Sequence, residues 1–258
     1  MTALLSPMGI LVRRHDPDRF FCALFAPATQ REVLFTLYAF NHELARAREV
    51  ASEPMLALIR LQWWREVVDG ASKRHEVATP LSAAIAQGLL VAEDLRVLID
   101  GREAEAGDGF ATTGDWLAYL DATAGRLMAA AGRLLRARDV GRLRALGTAY
   151  GIAGQLRSVG VLARAGRCQL PADALAAAGL TTHDVIAHRE PARLLAVLRG
   201  LAAQGQTMLR DAGGRLPSAA ALPAVLARRD LRRIGAPVGP RRLGDRLAVV
   251  AAAILGRI

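Results

Sequence analysis

From Val33 to Val50 the chain reads VLFTLYAFNHELARAREV, and within it Leu34, Leu37, Tyr38, Asn41, Ala45 and Arg48 recur at spacings of three and four. On a helix these six share one face. The face starts apolar and aromatic and turns polar halfway along, the pattern of a helix that leaves a core and lines a cavity between helices. The same period governs the rest of the chain. β-Branched runs, strict alternation and Asn-Gly hairpin signals are nearly absent.

Helix starts and stops can be read in order. Asp16-Pro17 supplies a cap and a first-position proline and is expected to open the first helix. Thr29-Gln30-Arg31-Glu32 has the form of a capping box at the start of the helix just described. Ser52-Glu53-Pro54 turns the chain into a helix over Pro54 to Asp69, with Leu56, Ile59, Trp63 and Val67 expected on its inner face. Thr79-Pro80 opens another, and Val91 to Arg102 follows Gly88. A polar, glycine-bearing loop from Ala106 to Gly114 leads into a long helix from Asp115 to about Arg138, striped by Leu117, Leu120, Ala124, Leu127, Met128, Ala131 and Leu135. Val140 to Ala165 is a second long helix, rich in Gly and Ala and so suited to close contacts, and Leu170-Pro171 stops it or the turn after it. Helices over Glu190 to Ala212, Pro217 to Arg233 and Pro240 to the end complete the reading. No repeat, low-complexity linker or compositional shift divides residues 1–258. The expectation is therefore a single all-α domain, an antiparallel bundle of on the order of ten helices with a central cavity.

Composition narrows the function classes. Mean hydropathy is +0.22, yet the most concentrated apolar run, Leu247 to Leu255, is nine residues long, whereas a membrane-spanning helix needs about 20. The first residues place a short apolar stretch before arginines, the wrong order for a secretory signal, so a cytoplasmic location is expected. Cys22 and Cys168 are far apart and read as free thiols of a reducing compartment. The five histidines form no HxxxH pair, which gives a zinc site little support. Lys and Arg number 34 against 24 Asp and Glu, a net charge of +10. That excess suits an anionic partner such as an acidic membrane surface or a phosphate-bearing ligand, although a genome that favours arginine codons would produce the same balance. No basic run interleaved with aromatics and no nucleic-acid-binding signature is present, so nucleic acid is excluded as the partner. There is no GxSxG, P-loop or dinucleotide-binding glycine pattern.

Five segments, taken in order, resemble the squalene/phytoene synthase family: FFCALFAP (20–27), LYAFNHEL (37–44), LIRLQWWREVVDG (58–70), YLDATAGRLM (119–128) and GIAGQLRSVGVLARAGRCQLP (151–171). The resemblance covers most of the chain to about residue 180. It implies an all-α enzyme fold that joins two prenyl diphosphates head to head, with Mg²⁺ neutralising the leaving pyrophosphate. Magnesium needs hard oxygen ligands. The family supplies them from two acidic motifs on facing helices.

Laid onto this chain, the first motif falls at Ala45, Arg46 and Glu49, and only Glu49 keeps an oxygen ligand. The second falls at Ser158, Val161 and Leu162, with no acid at all. His42 replaces a diphosphate-binding arginine, Gln169 a tyrosine and Gly154 an asparagine. Between Asp139 and Asp173 there is no Asp or Glu, while Arg142, Arg144, Arg157, Arg164 and Arg167 all lie inside. One Mg²⁺ among those arginines would meet several kcal/mol of repulsion even at an effective dielectric of ~20. No metal or other cofactor, and no catalytic residue, is therefore expected. Glu43, Glu49, Glu53 and Asp121 are the substitute acids that a still-active enzyme would need. The degenerate cavity would be lined by Tyr38, Asn41, His42, Ala45, Glu49, Arg157, Ser158, Leu162, Arg164 and Arg167. Its arginines read either as a cradle for a phosphate-bearing lipid, bound and not turned over, or as ordinary solvated and ion-paired side chains.

The acid-poor motifs, together with the Ser52-Glu53-Pro54 turn and the IRLQWW helix, are most similar to the branch of mitochondrial complex I assembly factors that carry this domain. That implies a non-catalytic protein, peripheral on the inner membrane, with a respiratory-complex client and a prenyl diphosphate or phospholipid as its other partner. The competing expectations are an active Mg²⁺-dependent prenyltransferase and a lipid carrier that uses the old cavity.

Overall fold

A computed structural model describes residues 5–51, 53–107 and 109–258. Ser52 of the Ser-Glu-Pro turn and Asp108 of the loop before the long helix lie outside the described residues, as do residues 1–4. Within these limits the chain is built of α-helices, with no β-strand and one isolated bridge, Arg215 to Arg257.

The chain opens with α1 (Pro7–His15), capped by Ser6, whose Oγ accepts from the Gly9 N–H at 3.0 Å. The Asp16-Pro17 pair therefore opens the second helix, α2 (Pro17–Ala23), with the Asp16 carboxylate accepting from Arg19 N–H. Next comes α3 (Ala28–Glu49), the helix signalled by the Val33–Val50 stripe. It starts at Pro27 and not through the Thr29–Glu32 box. No side chain caps it, and the Glu32 carboxylate instead accepts from Ser6 Oγ at 2.7 Å. Proline's fixed φ already sets the first turn, leaving Thr29 inside the helix. From Leu34 to Asn41 every residue of α3 is buried. More than two turns buried all round means that the helix runs through the middle of the bundle.

In α4 (Pro54–Val68) the buried side is Ala57, Leu61, Trp64, Val67 and Val68, while Leu56 and Ile59 are exposed. The expected inner stripe is rotated, because apolar residues occupy both sides of this helix. The larger buried surface comes from Trp64, which meets Phe40 of α3 edge to face at 5.4 Å. Helices α5 (Ala78–Ala86) and α6 (Ala92–Glu103) follow, then a 3₁₀ turn at Ala104–Ala106.

The long helix expected from Asp115 is α7 (Thr113–Leu120) and α8 (Arg126–Leu134), joined by a π-helical turn at Asp121–Gly125 and capped by a Thr112–Asp115 box. Against that turn runs α9 (Val140–Arg164), which also packs on α12 (Pro191–Asp211) and α13 (Pro223–Arg232). Two short helices that the sequence did not signal, α10 (Ala172–Ala177) and α11 (Thr182–Ile186), precede α12. The last is α14 (Leu243–Leu255), which packs on α13. Pro217 and Pro240 lie in the connections before α13 and α14 and do not start them. Both cysteines are free. Among the described residues no helix is long and apolar enough to cross a membrane.

Two backbones come close where α9 meets the π turn. A Cβ on Gly147 would stand 2.5 Å from the Ala124 carbonyl oxygen, and one on Gly151 would stand 2.8 Å from the Ala124 Cβ. The glycines of α9 thus let two backbones approach as no other residue would. Gly154, one turn on, is exposed with nothing within 4 Å of an added Cβ. Urea denaturation should separate the two positions: Gly147→Ala is expected to lose roughly 1–3 kcal/mol through overpacking, and Gly154→Ala to gain about 0.5–1 kcal/mol from helix propensity alone.

Candidate functional site

Helix α3 carries five of the ten expected cavity residues, and they run from core to solvent. Tyr38 is buried, with the Arg19 guanidinium carbon 5.7 Å from its ring centroid. Asn41, also buried, accepts from Arg102 at 3.2 Å. His42 stacks on His15 of α1 with centroids 4.2 Å apart, and its buried Nε2 has no hydrogen-bond partner. Ala45 is half-buried and Glu49 is exposed.

The other five lie on α9 and the turn after it. Arg157 donates to Asp230 at 3.1 Å and to the Gly239 carbonyl at 3.3 Å. Ser158 Oγ donates back to the Gln155 carbonyl at 2.9 Å. Leu162 and Arg167 border a narrow crevice with Gln169, and Arg164 is exposed. The ten residues are therefore not gathered round one cavity. Tyr38 and Asn41 belong to the interior, whereas Arg157 and Arg164 border a cavity shared with α12 and α13. Arg167 also lines a pocket of about 210 Å³ at the loop, with Arg48, Glu105 and Cys168.

Polar networks occupy the interior beside α3. In the first, Arg19 pairs with Asp16 at 2.7 Å and lies 4.6 Å over the ring of Tyr150 from α9. Burial works against its charge, but Asp16 and the two tyrosines outweigh that, and Arg19 is held protonated above its ordinary range. The Tyr38 phenol is pushed up by burial. In the second network Arg102 pairs with Glu105 at 2.5 Å and reaches Asn41, while the Tyr119 hydroxyl donates to Glu105. Again burial opposes the guanidinium charge, and Glu105 and Tyr119 overcome it. Gln155 of α9 donates to Gln169 at 2.9 Å. Sequence reasoning missed Arg19, Arg102, Glu105, Tyr119 and Tyr150. The only local signals were two i,i+3 acid–arginine spacings, Asp16 to Arg19 and Arg102 to Glu105, which are common on any helix surface.

These side chains can be tested against the metal that the resemblance implies. Octahedral Mg²⁺ takes several oxygen ligands from one place. Glu49 is exposed, Glu53 is exposed at the start of α4, Glu43 pairs with Arg46 at 3.2 Å, and Asp121 is the ion-pair partner of Arg144. Among the described residues no three His, Cys, Asp or Glu side chains converge. The donor set does not fit Mg²⁺, and what it offers to a ligand is guanidinium.

A cavity of about 810 Å³ is on the side of α9 turned away from Gly154 and Ser158. Arg157, Arg164, Arg233, Arg241 and Arg242 contribute cations to it, Asp230 and Asp245 contribute anions, and Leu194, Leu198, Ile234 and Val238 give it apolar wall. The acids are deeply held. Burial alone would raise the carboxyl of Asp245, yet hydrogen bonds from Arg233 and Arg229 bring it well below the usual carboxylate range.

Comparison with known proteins agrees with the fold. The squalene/phytoene synthase family model matches residues 12–249, and the chain belongs to that family. NADH dehydrogenase (ubiquinone) complex I assembly factor 6 of Bos taurus is 28% identical over 210 residues, 78% of this chain and 63% of that protein. Its counterpart in Rattus norvegicus is 28% identical over 227 residues, 84% of this chain and 68% of that protein. The chain thus spans about 63% of the length of the bovine relative. A dehydrosqualene synthase crystal structure superposes with a TM-score of 0.78 at 15% identity, covering 96% of this chain and 94% of that one. Squalene synthase HpnC from Alicyclobacillus acidocaldarius gives 0.64 at 20% identity, covering 96% and 92%. At these identities the two structures establish the fold.

The His15–His42 stack makes the site sensitive to pH. Burial first, and the facing His15 second, lower the His42 pKa from 6.5. The unfolded chain then binds a proton more readily than the folded one, so the stability linked to His42 is complete above about 6.5 and is lost as pH falls. Proton NMR should place the His42 midpoint below 6.5. The decline in melting temperature from neutral to mildly acidic pH should be shallower in His42→Gln than in the parent. A midpoint at or above 6.5 would contradict the assignment.

Proposed function

We propose that this member of the squalene/phytoene synthase family is a complex I assembly factor that has given up prenyl coupling and works peripherally on the inner membrane. The observation that carries the reading is that, among the described residues, no carboxylates converge, while guanidiniums sit in the interior beside α3. Where the family's chemistry needs several oxygens around Mg²⁺, this chain sets Arg19 and Arg102 into its interior, each already neutralised by a single acid. Arginines already paired in this way offer a diphosphate no free cation, and among the described residues there is no metal-ligand set to activate its leaving group. The likeness to proteins named as complex I assembly factors supplies the direction of the assignment, and it is an argument from kinship.

A stable helical body with arginine-rich surfaces suits a protein that holds a client or a lipid. If an anionic lipid is bound, the 810 Å³ cavity beyond α9 is the better place for it, since the space beside Tyr38 and Asn41 is taken by ion pairs. The competing reading, an Mg²⁺-dependent prenyltransferase, would require Glu43, Glu49, Glu53 and Asp121 to gather from four separate positions.

Two measurements together decide between them. Deleting the gene should deplete assembled NADH dehydrogenase on native gels, with the cell's squalene-type hydrocarbons unchanged. The purified chain with farnesyl diphosphate and Mg²⁺ should release no pyrophosphate. Metal-dependent formation of a coupled hydrocarbon would establish the enzyme and end the assembly-factor reading.

A further inference from the structure

We propose that the outward face of α14 is a docking surface for an anionic lipid bilayer. The inference rests on the peripheral-membrane part of the reading above and names the surface that would carry it. Towards the protein, α14 buries Asp245, Val249 and Ala252. Asp245 fixes the helix in place, accepting from Arg229 at 2.5 Å and from the Arg242 backbone N–H at 3.1 Å, with Arg233 at 2.9 Å.

The opposite side has no such partners. Leu243, Leu247, Ile254 and Leu255 are 73%, 57%, 79% and 67% exposed. Leu243, Leu247 and Ile254 fall within an arc of about 40° at 100° per residue. Ala251, also exposed, lies beside them, and Leu255 borders the stripe. No charged side chain interrupts it. A contiguous apolar face of this kind marks a contact surface.

Charge identifies the occupant. Arg242, which also borders the 810 Å³ cavity, and Arg257 stand just before and just after the stripe, and Arg246 borders its side; all three are exposed, and among the described residues none is in an ion pair. The acid of α14, Asp245, is buried, so this helix turns only positive charge outward. Arg246 also shares the rim of a crevice with Arg13 from the end of α1, which adds a further cation on the same side. Aliphatic residues between arginines, on a chain of net charge +10, fit an acidic headgroup layer with acyl chains beneath it. At 1.5 Å per residue the helix is about 20 Å long and cannot cross a bilayer, so it would lie in the plane. A second copy fits less well, because a two-fold pairing through this stripe would bring the same arginines together.

Flotation of the full chain with vesicles tests the proposal. The parent is expected to float with phosphatidylglycerol-containing vesicles, to leave them at high salt, and to ignore pure phosphatidylcholine. The double variant Leu247→Ser, Ile254→Ser should lose roughly tenfold or more of the bound fraction while keeping its circular dichroism melting curve. Independently, Leu247→Trp should show a blue-shifted emission on anionic vesicles and be quenched by lipids brominated in their chains. If the serine variant floats like the parent, or the tryptophan stays in water while the protein floats, α14 is not the contact and the docking face is overturned, although the peripheral reading stands. If the parent binds neither vesicle at low salt, both fall. A parent dimer that the serine variant converts to monomer would make this face a self-interface and would also overturn the proposal.

Discussion

An arginine placed inside a protein must be neutralised where it stands, and two such placements organise this bundle. Arg19 is kept charged by Asp16 and covered by the rings of Tyr38 and Tyr150. Arg102 is kept charged by Glu105, and that acid also accepts a hydrogen bond from the Tyr119 hydroxyl. Each arrangement joins elements far apart in sequence: α2 to α3 and α9 in one, α3 to α6 and α7 in the other. Removing one partner of such a pair leaves an uncompensated interior charge, which typically costs about 3–5 kcal/mol. Helices that in a metal-dependent enzyme would be held apart by substrate and cations are here tied together by their own side chains.

That exchange changes what α9 can do. A long helix with a row of carboxylates on one face would need that face open. In this chain the corresponding face carries Gly154, Ser158 and Leu162, none of which supplies a carboxylate. Its glycines Gly147 and Gly151 are instead spent on close approach to the π turn. The cationic side chains Arg157 and Arg164 turn the other way, to the cavity shared with α12 and α13. An anion entering that cavity would meet both guanidinium groups.

The helices were legible in the sequence because their cause is local. Apolar spacing set α3, a proline with its Asp16 cap set α2, and a first-position proline with no side-chain cap set α4. Where a local signal failed, a distant residue had intervened. Glu32, which completes a capping box on paper, is engaged by Ser6 of the preceding helix. The inner face of α4 differs from the expected one because both Ile59 and Leu61 belong to apolar stripes, and the neighbouring α3 and α6 decide which is covered. The expectation that metal ligands are lacking rests on single positions such as Ala45 and Ser158. What fills the space could not be read in that way, since nothing near Arg19 in the sequence points to Tyr150, and nothing near Asn41 to Arg102.

The same logic extends to the surface. Asp230, almost entirely buried, receives Arg157 from α9 and Arg241 from the connection before α14, and Arg241 in turn holds Asp18 of α2. Four side chains thus lock the segment that delivers α14 onto the body of the protein. Asp245, held by Arg229 and Arg233, repeats the lock one turn into the helix. Both clusters are sheltered and so are little affected by ionic strength, whereas the exposed arginines at the rim of the stripe are fully subject to screening. Salt acting on this protein therefore has two separable consequences. It would weaken whatever the outer arginines hold, and it would leave α14 in its place.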